Sequence, residues 1–322
     1  MATVGTGLGR LRVRTPVVTE GGRGLAVESW GPEDGYPILY LHGMPGSRRG
    51  PRPLVNHLYN SGLRLIAYDR PGYGGSGRLE GRSVSHAAAD VAAIADALGI
   101  ERFSVMGRSG GGPHAMACAA LLPDRVQNVA ILVSLAPFDV DPAELDWFGG
   151  MTQSNIHAFT LAAEDHGSLH EELLERHSAL NSDPQQMIRS LVPEMSPGDR
   201  RIVWETGVRR MLVQNFDAAF DPEEADTGGR DHGLQGWFDD VVSLVKPWGF
   251  QVSDIDVPAL LWQGELDTFS PMDHFYWLAD HIKNATTMLA LDTAHFGAIP
   301  AMPRILRWLA NTANRAGAAS GR

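Results

Sequence analysis

Gly107-Arg-Ser-Gly-Gly-Gly112 lies between an apolar run, Phe103–Met106, and an alanine-rich run ending at Leu122. A glycine cluster at such a junction can serve two chemistries. Its backbone N–H groups can cradle a phosphate, or its turn can push one serine out as a nucleophile. The phosphate-loop pattern closes on a Lys-Ser/Thr pair, which this stretch lacks. What it contains is G-x-S-x-G, Gly107-Arg108-Ser109-Gly110-Gly111, at a strand-to-helix junction. A serine hydroxyl attacks an acyl carbon only if a base removes its proton and a carboxylate orients that base. "GELDTFSP" places Asp267 just after one strand-like run, and "LALDTAHFGA" places His295 just after the next. Asp139, soon after the run Val126–Leu135, competes for the carboxylate role. Asp267 is preferred because its segment supplies a strand end and a helix start together. The oxyanion needs two aimed N–H groups. Gly110, at the positive end of the following helix, and Met44, in "YLHGMPGS", are the candidates.

These residues need a scaffold that brings distant segments together. Pro37–Gly43, Leu63–Arg70, Arg102–Gly107, Val126–Leu135, Pro258–Asp267 and Thr286–Leu291 are short apolar runs ending in turn residues. Their near-continuous hydrophobicity predicts strands buried on both faces of a parallel sheet. Helical patterns alternate with them: Ser83–Leu98 stopped by Gly99, Gly110–Leu122, a helix with Ser270 as N-cap and Pro271 first, and Pro303–Asn314 before a loose tail. Alternating strands and helices predict an α/β fold. From Pro137 to Phe250 the pattern is helical throughout, too long for a loop, and reads as an inserted cap.

A second glycine run, Gly72-Tyr-Gly-Gly-Ser-Gly77, matches G-x-G-x-x-G but does not open a helix, so it reads as a sharp turn and not as a dinucleotide site. The 322 residues carry a net charge of -11 with no basic block, which excludes nucleic acid and anionic membrane surfaces as expected partners. The single cysteine, Cys118, rules out an intramolecular disulfide and reads as a small buried hydrophobe. No apolar run approaches the roughly 18 residues of a membrane span, and the N-terminus lacks an apolar signal core, so a cytoplasmic protein is expected. His166, His170 and His177 read as a solvated helix face in preference to metal ligands, and no metal or cofactor is expected. His42 and His114 read as structural. The expected partner is a small-molecule substrate, and a homo-oligomer stays open.

Taken in order, "LHGMPGS", "YDRPGYGGSG", "MGRSGGG", "GELDTFSP" and "TAHFG" resemble the α/β-hydrolase fold superfamily over Val17–Leu135 and Val257–Ala310. The resemblance implies a mostly parallel central sheet with helices on both faces and a helical cap inserted after the sixth strand. Residues 1–136 and 251–322 would form the core, and 137–250 the cap. Carried over residue by residue, it implies Ser109 as nucleophile, His295 as general base and Asp267 as orienting acid. The Met44 and Gly110 amides would form the oxyanion hole.

Branches of the superfamily differ at these positions. Epoxide hydrolases and haloalkane dehalogenases carry an aspartate where this chain has Ser109. Epoxide hydrolases also use cap tyrosines, and none of the six tyrosines lies between 137 and 250. Proline iminopeptidases share a loop similar to "HGMPGS", but "GRSGG" departs from their Gly-Gly-Ser-Trp-Gly elbow. The cap is rich in large apolar groups, among them Trp147, Phe148 and Trp204. Together with Arg108 and Phe296 these are the candidate substrate contacts, and they favour an ester, thioester or lactone with a hydrophobic acyl part. The alternatives are an iminopeptidase-like aminopeptidase, a non-hydrolytic triad enzyme such as a lyase or C–C bond hydrolase, and a ligand-binding homologue without catalysis. The motif requires no particular residue before the serine. Arg108 is therefore read first as paired beneath the turn, with Asp69 or Glu265, and second as a ligand for a substrate carboxylate.

Overall fold

Each of the apolar runs becomes a strand, and the sheet gains two more at its N-terminal edge. The computed structural model describes residues 13–183, 185–221 and 232–320. Its strands are β1 (Val13–Val18), β2 (Gly24–Trp30), β3 (Tyr36–Leu41), β4 (Leu63–Tyr68), β5 (Phe103–Arg108), β6 (Val126–Leu132), β7 (Ala259–Gly264) and β8 (Ala285–Ala290). They form one eight-stranded sheet in the order β1-β2-β4-β3-β5-β6-β7-β8. β3 to β8 pair in parallel, whereas β1 with β2 and β2 with β4 are antiparallel. The hairpin β1–β2 adds to the expected strands, with Pro16 inside its first one; an edge position tolerates that proline, which donates no ladder bond.

β8 departs from the expectation of a strand buried on both faces. Among the described residues it pairs only with β7, and much of its run is exposed, Leu289 at 40%. Burial there depends on the sheet order, which the run itself does not encode.

The helices are α1 (Val55–Asn60), α2 (His86–Ala97), α3 (Gly111–Leu121), α4 (Gln153–Glu164), α5 (His166–Ser182), α6 (Gln186–Leu191), α7 (Pro197–Trp204), α8 (Thr206–Phe220), α9 (His232–Leu244), α10 (Met272–His281) and α11 (Ala298–Ser320). On one sheet face Val91 and Ile94 of α2 and Met116 of α3 pack with Leu39, Val105 and Val129. On the other, Met302, Leu306 and Leu309 of α11 pack with Ile38, Met106 and Leu132. Strands with apolar groups on both faces are what this double covering demands. α11 runs to Ser320 where a loose tail was expected, and the alanines of its last turns are strong helix formers. α10 begins at Met272, one residue later than expected, with Pro271 in the N-cap position and no side-chain cap from Ser270.

Helices α4 to α9 lie between β6 and β7 and share one buried apolar cluster with the α2/α3 face of the core. Residues 222–231 of this stretch lie outside the described residues. Two polar clamps tie the inserted helices down. Asp240 of α9 accepts from Arg70 Nε (3.1 Å), Arg82 Nη2 (2.6 Å) and the Tyr73 hydroxyl (3.0 Å). The two guanidinium groups hold its carboxyl far below the usual carboxylate range despite burial.

The second clamp is His274 of α10. Its Nδ1 accepts from the Ala136 N–H (3.1 Å) and its Nε2–H donates to the Trp147 carbonyl (2.9 Å). Only the neutral ring satisfies both bonds, and burial pushes its pKa down to about 4. Below the unfolded value of about 6.5 the unfolded chain takes up a proton that the folded chain refuses. Stability should therefore fall as pH drops from about 6.5 to about 4, by about 3 kcal/mol through this one group. NMR of the ring nitrogens is expected to show His274 neutral at pH 5, and a midpoint near 6.5 would contradict the assignment.

Candidate active site

Ser109 sits where β5 ends and α3 begins, with φ of 54°. That left-handed backbone is strained for a residue with a side chain, and it turns the chain sharply at this one residue. Its N–H donates to the Leu132 carbonyl (2.9 Å) and its carbonyl accepts from the Gly112 N–H (2.8 Å), so the bend is held on both sides. A Cβ on Gly107 would collide with the Gly111 carbonyl, and one on Gly111 with the Leu41 and His42 carbonyls. All of these obstacles are backbone, which cannot step aside. Gly111→Ala is accordingly expected to cost about 3 kcal/mol of folding free energy, measured by urea denaturation.

His295 opens a short 3-10 turn, His295–Gly297, after β8, and Asp267 follows β7. The His295 Nδ1–H donates to Asp267, 2.9 Å to Oδ2 and 3.1 Å to Oδ1. Oδ1 also accepts from the Phe269 and Ser270 N–H groups (2.8 and 3.0 Å), and Oδ2 from Gln263 Nε2 (3.2 Å). The carboxylate is thus locked in place, and Nδ1 is committed to it, leaving Nε2 as the free ring nitrogen. Asp139 is exposed, and the His295 Nδ1 is bonded to Asp267 instead.

Gly110 and Met44 face one another: a Cβ on Gly110 would lie 2.8 Å from the Met44 Cβ and 3.5 Å from its nitrogen. Among the described residues neither N–H donates a hydrogen bond. The Met44 loop is positioned by Arg70, which donates to the carbonyls of His42 and Gly43. His42 Nδ1–H bonds the Gly43 carbonyl (2.8 Å), and its Nε2 accepts the Arg70 N–H (3.1 Å). Burial and the Arg70 charge depress its pKa, so the ring is a neutral strut. His114 bonds the Gly110 carbonyl (2.8 Å) with a pKa pushed down to about 3 by burial.

A cavity joins these groups. Ser109, Gly110, Met44 and His295 line it together with Arg108 and Phe296, beneath a roof of inserted helices that includes Phe159, Leu173, Leu212, Phe216 and Trp237. Three of the expected substrate contacts lie elsewhere. Trp147 is buried with its indole N–H on the Ala136 carbonyl (3.0 Å), in an edge-to-face cluster with Phe138, Phe148 and Phe159. Phe148 packs on that cluster away from the cavity. Trp204 ends α7, 41% exposed, beneath Arg209 at 5.5 Å. The expected partners of Arg108 are also engaged elsewhere. Asp69 pairs with Arg48 and accepts the Arg48 and Gly75 N–H groups (2.6 and 3.0 Å). Glu265 is exposed and accepts the Asp292 N–H. His166 and His170 each meet the Phe238 ring edge-on.

One carboxylate beside the site escaped the sequence reading. Asp199, from α7 of the insertion, is buried and accepts the Phe296 N–H at 2.8 Å, directly after His295. Burial raises its pKa, while the nearby His295 charge acts against that rise. It ties the inserted helices to the histidine turn. No local pattern marks it, since Asp199 in "SPGDR" looks like an ordinary first-turn acid.

A family model described as the alpha/beta hydrolase fold matches residues 36–301. Among curated relatives, a non-heme chloroperoxidase from Streptomyces lividans is 37% identical over 123 residues, 38% of this chain and 44% of that protein. A bifunctional esterase/perhydrolase from Acinetobacter calcoaceticus is 32% identical over 122 residues, again 38% and 44%. Each match thus spans less than half of the relative's own length. Among solved structures, the enol-lactonase from Burkholderia xenovorans LB400 superposes with a TM-score of 0.64 at 18% identity, covering 92% of this chain and 99% of that one. Among the described residues no helix is long and apolar enough to cross a membrane. With the sheet order, the serine turn and the family match in agreement, the chain belongs to the alpha/beta hydrolase fold family.

Proposed function

We propose that this protein is a serine hydrolase that cleaves a carboxylic ester, thioester or lactone with a hydrophobic acyl part. The observation that carries the reading is the meeting of a strained Ser109 and an Asp267-bound His295 on the wall of one largely apolar cavity. In the first half-reaction His295 Nε2 takes the Ser109 proton as Oγ bonds to the acyl carbon. Asp267 steadies the imidazolium, and the Gly110 and Met44 N–H groups receive the oxyanion. Collapse expels the alcohol or thiol, which takes its proton from His295. Water then repeats the sequence on the acyl-enzyme and frees the acid. The roof of Phe159, Leu173, Leu212, Phe216 and Trp237 suits a hydrophobic acyl chain.

An aminopeptidase would need an acid to hold the substrate's ammonium group. Among the described residues that line the cavity there is no aspartate or glutamate, which weighs against that reading. A lyase or C–C bond hydrolase would share the same three residues and stays second. The test is a parallel screen of p-nitrophenyl acyl esters and aminoacyl p-nitroanilides. Turnover of esters with little or none of the anilides is expected, and the reverse order would overturn the proposal.

A further inference from the structure

Resting on that reading, we infer that Arg108 is an anion anchor and that the natural substrate carries a carboxylate on its acyl portion, a short way from the carbonyl that Ser109 attacks. Arg108 is 6% exposed, directly precedes Ser109 and lines the same cavity. No carboxylate among the described residues lies within ion-pair distance of it, and its Nε and Nη1 are buried without a hydrogen-bond partner. Its nearest companions are neutral. The guanidinium carbon stands 5.9 Å from the centre of the Phe296 ring. The Tyr40 hydroxyl lies beside the guanidinium, whose positive charge and weak side-chain hydrogen bond oppose the rise that burial imposes on its pKa, and a neutral hydroxyl leaves the charge of Arg108 uncompensated. Nη2 runs against Gly43, where a Cβ would come within 3.1 Å.

Burying a cation without a counter-ion is costly, and folded proteins normally pair it. Other buried arginines in this molecule obey that rule: Arg48 meets Glu28 and Asp69, and Arg70 and Arg82 both meet Asp240. Among the buried arginines of the described residues Arg108 is the exception, and it is the one beside the nucleophile. The cavity contains one further arginine, Arg176, which is already bound to Glu172. A negative charge entering the cavity therefore meets one uncompensated cation at its floor. A carboxylate suits it better than a phosphate dianion, since a single guanidinium balances one charge and leaves a second one unpaired in an apolar space. The two side chains flank one point, since a Cβ on Gly43 would lie 3.1 Å from Arg108 Nη2 and 3.6 Å from Ser109 Cβ; a carboxylate on Arg108 and a carbonyl at Ser109 are then joined by a few bonds, as in a monoester of a dicarboxylic acid.

The experiment compares p-nitrophenyl hydrogen glutarate with p-nitrophenyl valerate, similar in length but neutral at that end. The wild type is expected to favour the glutarate monoester by about tenfold to a hundredfold in kcat/KM, the worth of a buried charge-assisted pair. Arg108→Gln is expected to erase that preference, most of the loss appearing in KM for the anionic ester, with Arg108→Lys recovering part of it. A purely structural Arg108 would lower both esters by the same factor in both variants, and that result, or a wild type that prefers valerate, overturns the inference. Fluorophosphonate labelling of Ser109 in each variant confirms that the site is assembled. To separate this inference from the esterase reading, binding of glutarate itself is measured by calorimetry in wild type and Arg108→Gln. Arg108-dependent glutarate binding supports the anchor even if no ester is turned over. Absence of such binding in a protein that does hydrolyse valerate overturns the anchor and leaves the esterase reading standing.

Discussion

Ser109→Ala is expected to lower kcat on p-nitrophenyl butyrate by about 10⁶-fold, the order found when a nucleophile that works as part of a unit is removed. The alanine keeps the Cβ and the backbone of the turn, so the cavity, the His295–Asp267 pair and the two free N–H groups persist. What vanishes is the Oγ that forms the acyl bond. A residual rate well above that of water is expected, because amides aimed at an oxyanion still assist attack by solvent. Removing Oγ also relieves no strain, since φ at this position stays positive for alanine. A melting temperature close to that of the wild type would accompany the loss and separate chemistry from folding. Burst kinetics would vanish with the acyl-enzyme.

Asp267→Asn carries the second largest expectation, a loss of about 10⁴-fold in kcat with little change in KM. Its size follows from how the carboxylate is held. Oδ1 is pinned by the Phe269 and Ser270 N–H groups, so the amide oxygen of an asparagine would stay there. Its NH₂ would then occupy the Oδ2 position, pointing a donor at His295 Nδ1 and another at the Gln263 amide. His295 would turn to the tautomer with its proton on Nε2, the nitrogen that has to accept the serine proton. The side chain would still be well ordered while the base is disabled. Gln263→Leu offers a contrast, because it removes a bond to Oδ2 without changing the tautomer, and a far smaller loss is expected.

How much of this was legible in the chain can be judged from single residues. Gly107, Gly111 and Ser109 declare the turn locally, because only glycines fit where backbones touch and one serine takes the strained angle. Asp267 and His295 were legible because each follows a recognisable apolar run, and the sheet gathers the ends of parallel strands on one side. Asp199 was not, since its meeting with the histidine turn depends on how α7 docks, nearly a hundred residues away in sequence. The aromatic residues of the insertion show the same limit. Trp147 and Trp237 are alike in type, yet one packs against Phe138 and His274 and the other roofs the cavity. Periodicity states which residues are apolar, and docking decides which of them face the substrate. The expected partners of Arg108 show the same limit: Asp69 and Glu265 are acids available in the sequence, but in the fold they are engaged by Arg48 and by the Asp292 N–H.

Covalent labelling tests whether Ser109 is an activated nucleophile without knowledge of the substrate. The folded protein is treated with a fluorophosphonate, digested, and its peptides are mapped by tandem mass spectrometry. One phosphonylated residue is expected, Ser109, with labelling slowed strongly in Asp267→Asn and abolished in Ser109→Ala. A folded protein that remains unlabelled at Ser109, or is labelled equally fast after Asp267→Asn, would contradict it.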